Sequence, residues 1–448
     1  MSKPVPYDKT KWDTSLGLDY SERPVPMSPY GDVQYKHHDF PPLFKNMELI
    51  GHTDMEGHGD CMQVVKEGDY VFQCNNLSSG FSVVNVKDPS DPQFETFVPT
   101  GNLHTWSTKC RVVNHILIVN NEWKFFEPYK YYLSREGNPH DSGPKEPVQA
   151  GIKIYDVSKP AEPKLLSFFK TGQWSRNGGG VGCHRFWFDG HYAYISAEMP
   201  GYYGNIMMII DVSDPRNPEE VSRFWIPGQH TAGGERPWWP TNTRCRIQFH
   251  HPIIQGDRAY TAWFGMGGAI VDISNIRRPT LVTHFNYDIG GQNHTFFPIK
   301  NRQFAVFISE YSHGWMLDIS DEKFPKVIAM FPPQPKELLE RGVGWSWGPS
   351  LHNVHENPPG SDSYFTETKL FSACGPGGLR VYDISDPYRL EELGYYVPGT
   401  PKVYYDPRGP EHGGVGDGVD VSDVFVDKKG LIYCGSYNSG LDILKFTG

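Results

Sequence analysis

No run of this 448-residue chain approaches the length of an apolar membrane span. The first residues, MSKPVPYDKTKWDTS, lack the apolar stretch of a secretory signal, which predicts a cytoplasmic protein. Positive charge is in deficit: 42 Lys and Arg stand against 52 Asp and Glu, a net charge of −10. Phosphate backbones need a basic field, so the balance argues against a nucleic-acid partner. Cysteine is sparse, with seven residues, scattered and without a CxxC. An odd, unframed set predicts reduced thiols. The sequence has no P-loop, no GxSxG, no HExxH and no dinucleotide fingerprint opening a helix. GGGVG at 178–182 lacks a strand–helix setting and reads as a loop.

What abounds is proline (38), glycine (47) and aromatic residues (14%). That mixture favours many short strands and turns over long helices. The length suits two or three ordinary domains or one large repeat fold, and repeats decide between them. Six segments align: FSVVNVKDPSDPQFETF from Phe81, IKIYDVSKPAEPKLLSFF from Ile152, IMMIIDVSDPRNPEEVSRF from Ile206, AIVDISNIRRPTLVTHF from Ala269, WMLDISDEKFPKVIAMF from Trp315 and LRVYDISDPYRLEELGYY from Leu379. A truncated copy, LDILKFTG from Leu441, closes the chain. Each full copy reads as strand, Asp/Ser/Pro turn, strand. Two apolar runs around a tight turn precede each copy, as in HRFWFDGHYAYIS, where Asp189-Gly190 is a hairpin signal. Four strands, a to d, therefore make one unit, and units of this length are those of propellers.

Seven units predict an all-β fold, a single seven-bladed propeller with four-stranded blades over residues 42–448. Residues 1–41, rich in Pro and Tyr, read as an extended arm. The last unit lacks its d strand, and the unmatched run PLFKNMELIG, Pro42 to Gly51, is the strand that would close it. The VYDISDP-type copies resemble the LVIVD-repeat family of β-propellers. The resemblance implies the architecture and leaves the chemistry to the site.

Topology puts the a–b and c–d turns at one end of the blades and the b–c and d–a loops at the other. The long insertions fall in the second set and predict a lid over the axis carrying Trp123, Trp174, Trp238, Trp239, Trp345 and Trp347. Such an aromatic cover suits an apolar or aromatic small molecule. The alternative is a plug that only stabilises the channel.

Strand a lines the axis. Counting back six residues from the a–b turn gives His184, His250 and His294, and SLHNV aligns His352 with them. His58 and His104 lie further from the turn in the first two units, and the seventh offers Asp423. Imidazoles converging on an axis repel when protonated and need partners when buried neutral. A metal is such a partner. Glu122, Glu198 and Glu310 end strand b on the same face, and fit as carboxylates that orient ligand histidines or act as general bases. Within the hairpin of residues 182–201, Glu198 is expected to orient His184. Arg111, Arg185 and Arg246 flank these strands as candidates for a substrate carboxylate, and Trp263 and Trp347 as candidates for its apolar part. Alternation turns Cys183 away from His184 into the core, Cys245 lies near the same strands, and His251, His313, His355 and His412 are candidates for a second metal.

These residues predict a metal-dependent enzyme, with iron or copper preferred and zinc possible as the ion. An oxidoreductase or oxygenase acting on an apolar or aromatic small molecule is the preferred class. A hydrolase or lyase using metal-activated water is the alternative, and a non-catalytic interaction propeller is the other. Four histidines and three glutamates on inner strands resemble, in architecture, the iron site of carotenoid-cleaving oxygenases, although motif order and repeats differ. No nucleic acid and no membrane is expected as a partner.

Overall fold

The computed structural model describes residues 40–75, 80–99, 105–123, 148–174, 182–238, 248–287, 291–310, 313–333, 351–400, 421–437 and 439–448. It is an all-β, seven-bladed propeller: seven antiparallel sheets in chain order, their inner strands adjoining around an axis. Blade 1 holds Cys61–Glu67, Tyr70–Asn75, Gly80–Asn85 and Gln93–Pro99. Blade 2 holds Cys110–Val113, Ile116–Trp123, Val148–Asp156 and Lys164–Trp174, with the short Thr105–Trp106 pairing the far end of its second strand. Blade 3 holds Cys183–Phe188, Tyr192–Glu198, Asn205–Asp211 and Glu219–Phe224. Blade 4 holds Pro252–Gln255, Arg258–Ala262, Gly268–Asp272 and Thr280–Phe285. Blade 5 holds Asn293–Ile299, Phe304–Ser309, Gly314–Asp318 and Lys326–Met330. Blade 6 holds Asn353–Val354, Lys369–Ala373, Leu379–Asp383 and Glu391–Val397. Blade 7 holds Val421–Val426, Leu431–Ser436 and Gly440–Phe446.

The run at 42–51 divides in two. Leu43–Lys45 adds a fifth strand to blade 6, against Val397 to Tyr395. After Asn46, at φ +52°, Met47–Thr53 pairs with Gly440–Phe446 and supplies the fourth strand of blade 7. One segment thus covers two outer edges that would otherwise be open. The segment 1–39 lies outside the described residues, as do 124–147, 175–181, 239–247, 334–350 and 401–420 of the long mouth-side insertions.

The repeated Asp of the c–d turn has a local purpose. Asp211, Asp272, Asp318 and Asp383 each accept the N–H of the residue two positions on. That closes an Asx-type turn between strands c and d. Apolar residues of neighbouring blades mesh into shared clusters; one unites Ile209, Ile253, Val306 and Leu370 from blades 3 to 6. The six described cysteines are buried and form no disulfide, Cys183 among them. No helix among the described residues is long and apolar enough to cross a membrane.

Deletion of residues 1–53 should abolish soluble expression, because blades 6 and 7 both lose outer strands. Deletion of 1–38 should leave the thermal midpoint within a few degrees of the full chain, and equal behaviour of the two truncations would contradict this closure. The closing strand also carries a pH signature. His52 Nδ1 lies 2.7 Å from Asp442 Oδ1, a hydrogen bond that raises the imidazole above 6.5 against the opposing effect of burial. The protonated form is the bound form, so its stabilisation is full below 6.5 and is lost as pH rises through the raised value. The difference in denaturation midpoint between wild type and His52→Gln should therefore be larger at about pH 5.5 than at about pH 8.5.

Candidate functional site

Strand a does not start as a regular strand. In blades 1, 5 and 7 a residue is inserted between Cys61 and Gln63, Asn293 and Thr295, and Val421 and Asp423. Blade 3 has the same irregularity between Cys183 and Phe186. In blade 4 the His250 N–H donates to the Ala262 carbonyl, and Ala262 donates back to His251. In blade 6, Ala373 takes the N–H of His352 and pairs with Asn353. Two successive residues thus oppose one residue of strand b, and such a bulge re-aims a side chain. The two registers read Met62, Thr108, His184, His250, His294, His352, Ser422 and, one residue on, Gln63, Lys109, Arg185, His251, Thr295, Asn353, Asp423. The second register, entirely polar, was missed by simple alternation.

The four histidines of the first register form a chain of ring contacts. Centroids lie 4.9 Å apart from His184 to His250, 3.8 Å from His250 to His294 and 4.5 Å from His294 to His352. The last three are fully buried. Burial, with the neighbouring imidazoles next, holds His250 and His294 well below the usual histidine range; burial also lowers His352, against Glu310. Neutral imidazoles are competent ligands.

Each ring meets a protein partner through Nδ1: His184 with Glu122 at 2.9 Å, His250 with His251 at 2.7 Å, His294 with Thr295 at 2.8 Å and His352 with Asn353 at 3.5 Å. Nε2 is then the nitrogen with which each would bind an ion. Glu310 stands on that side, its carboxylate 3.3 Å from His352 Nε2. Donor atoms of His294, Glu310 and His352 lie within 4.8 Å of one another, close enough for one ion to take all three.

The partner of His184 corrects the expectation for the 182–201 hairpin. It is Glu122, on the preceding blade, and not Glu198 of the same hairpin. The cause is in the backbone: Glu122 bridges Gly182 at the start of the next blade. In blades 1, 2, 4 and 6 such a bridge sets the end of strand b beside the start of the next blade. Glu122 is sealed from solvent, whereas Glu198 is half-buried and its N–H donates to Gly182 at 3.4 Å.

Below the histidines the axis is closed by Glu356, which the sequence reading passed over. Its carboxylate takes Arg111 on one oxygen, and Arg185 at 2.8 Å with His251 Nε2 at 2.9 Å on the other. Burial works to raise Glu356, but Arg185, His251 and Arg111 prevail and hold it well below the usual carboxylate range. Arg185 also donates to Asn353. Arg111 and Arg185 are therefore committed to the protein and are not carboxylate receptors for a substrate. His251, pushed down to about 3 by burial and Arg185, links Glu356 to His250.

Other candidates fall elsewhere. His58 stacks on Phe97 of the outer strand of blade 1, centroids 4.2 Å apart, and is no member of the axial group. Trp263 is fully buried, packs on Phe249 and donates to Thr261 at 2.8 Å, so it is core and not substrate lining. His355 is held by Tyr364 and Val426, and His313 is exposed beside Trp315; neither joins a second cluster. Trp238 is exposed and edge-on to His284 of an outer strand. His104, His412, Cys245, Arg246, Trp239, Trp345 and Trp347 lie outside the described residues, and so do the side chains of Trp123 and Trp174.

The LVIVD repeat model matches residues 184–225 and 253–287, which run from His184 through the last strand of blade 3 and over most of blade 4. The chain is thus a seven-bladed β-propeller that carries LVIVD repeats in blades 3 and 4. No curated protein matches it.

Replacing Glu356 by Gln should leave two guanidinium groups buried without a counter-charge. Breaking such a pair costs about 3–5 kcal/mol, which a denaturant titration would read as a lower midpoint with the β-sheet spectrum retained. A loss below about 1 kcal/mol, the scale of a surface pair, would contradict the clamp.

Proposed function

We propose that this protein is a metal-dependent enzyme, an oxidoreductase or oxygenase acting on an apolar or aromatic small molecule at the propeller axis. The observation that carries the reading is the run of buried, neutral imidazoles with Glu310 at the Nε2 side of His352. In this reading His250, His294 and His352 with Glu310 hold the ion, His184 completes the arc, and Glu122 fixes the His184 tautomer. His251 fixes His250 in the same way: it accepts at Nδ1 and donates from Nε2 to Glu356. Two histidines and one carboxylate with open positions suit non-haem iron, and imidazole-rich sites also suit copper and zinc. Bound iron or copper would supply one-electron chemistry with oxygen; bound zinc would make the enzyme a hydrolase or lyase. A propeller that only binds partners would hold no ion.

Elemental analysis of the dialysed protein should find about one transition metal per chain, with iron or copper dominant. Single His250→Ala, His294→Ala and His352→Ala variants should lose most of it and keep the fold, because the blades are held by apolar packing. Glu122→Gln should weaken metal affinity by about 10–100-fold, the usual effect of removing a ligand's carboxylate partner. His58→Ala should retain full metal. Wild-type protein that takes up no iron, copper or zinc would overturn the proposal.

A further inference from the structure

The axial registers are not evenly furnished. Blades 3 to 6 carry the four histidines. Blades 7, 1 and 2 carry Ser422, Met62 and Thr108 at the same place. Ser422 Oγ is engaged by the Gly435 carbonyl at 3.1 Å, and Thr108 Oγ1 receives Asn120 at 3.5 Å. Met62 packs with Tyr437, which stands at the glutamate register of blade 7. At this register the sector presents no imidazole or carboxylate, and Met62 makes it partly apolar.

Lys109 lies one residue below Thr108 in that sector. It is 1% exposed. Its backbone is fixed, the N–H to Asn120 Oδ1 at 2.8 Å and the carbonyl to the Asn120 N–H at 3.0 Å. No hydrogen bond or ion pair among the described residues takes up its ammonium. Asp423, in the same register two blades away, turns instead to the Val64 N–H at 2.9 Å. The place of Lys109 in the register sets it beside the histidine arc: burial and Arg185 work against its charge, the Asp423 and Glu310 carboxylates favour it, and it bears in turn on His250 and His352. A buried ammonium without a partner is costly, and such groups are ordinarily paired. The two arginines nearby are already engaged by Glu356, which leaves Lys109 as the cation still able to receive an anion.

We propose that Lys109 is the anchor for a substrate carboxylate: the molecule that reaches the metal enters the sector of blades 7, 1 and 2, sets its apolar part against Met62 and Tyr437, and places its carboxylate on Lys109. This rests on the metal-centre reading above. The substrate class is a small organic carboxylate.

The test uses the full-length protein, loaded with cobalt(II) as a visible-spectrum probe and titrated with acetate and benzoate, with benzamide as the uncharged control. Lys109→Met should keep the wild-type cobalt content and raise the carboxylate Kd by at least about tenfold, the scale of one charge-assisted contact. Lys109→Arg should recover part of the affinity, and benzamide binding should be the same in all three proteins. Wild-type carboxylate affinity in the Met variant, or no binding of either carboxylate to loaded wild type at about 50 mM, would overturn the proposal. So would loss of cobalt from the Met variant, which would make Lys109 a structural support of the donors. Should wild type take up no metal, the metal-centre reading fails on its own. Calorimetric titration of benzoate into the metal-free protein then decides the role of Lys109: a Lys109-dependent affinity supports it and an unchanged one overturns it.

Discussion

The end of strand b in one blade is fastened to the start of strand a in the next, and the axis inherits its order from that backbone contact. Bridges join Asn75 to Ser107, Glu122 to Gly182, Phe264 to Asn293 and Gly375 to Val421. Each crosses a blade boundary. The carboxylates at the ends of strand b in blades 2 and 5 therefore reach the histidine of the successor blade. Glu122 meets His184, and Glu310 meets His352, for this reason. In blade 7 the same position is Tyr437, which packs with Met62 of blade 1; Phe264 of blade 4 bridges Asn293 of blade 5 through its backbone while its ring stays 5.0 Å from His250 of its own blade. The carboxylate partner of His184, and with it the tautomer of that ring, follows from this connection.

Convergence creates the second constraint. Seven inner strands bring fourteen residues to the axis, all of them buried except His184. Their polar groups must satisfy one another or remain costly. Glu356 resolves most of this: one carboxylate engages two guanidinium groups and an imidazole drawn from blades 2, 3 and 4. Removing either charge type would leave the other exposed to a low dielectric, so the clamp holds as a unit. It also reaches upward, because His251 can donate to Glu356 only from Nε2, which leaves its Nδ1 to accept from His250. The Glu356 contact in this way decides which nitrogen of His250 carries the proton.

The repeats made the propeller legible, because DVSDP-like turns and DG hairpins are local devices whose physics survives in the string. The histidine register was legible for the same reason: a fixed distance from a turn is a local quantity. What alternation could not disclose was the bulge. A period of two assigns His184 and Arg185 to opposite sides, whereas the inserted residue brings both registers into play, so Lys109, His251 and Asp423 went unread as a set. Glu356 was hidden differently. It follows His352 by four residues in an irregular stretch, HNVHENPPG, and its partners are 245, 171 and 105 residues away in the chain. No spacing rule records such a meeting. The assignment of Glu198 to His184 failed because sequence adjacency was taken for spatial adjacency, when the blade boundary favours the preceding unit.

The position of the ring's seam completes the argument. Blade 7 is closed by Met47–Thr53, a strand from the other end of the chain, so the junction of blades 7 and 1 is where opening of the ring would begin. The four axial histidines run from residue 184 to residue 352, on consecutive blades distant from that junction. Ser422 and Met62 flank it. Local opening at the seam therefore disturbs the side of the axis without imidazoles and leaves the donors in register with one another. The chain thus closes beside the sector of the axis that carries no imidazole, with the histidine run on the remaining blades.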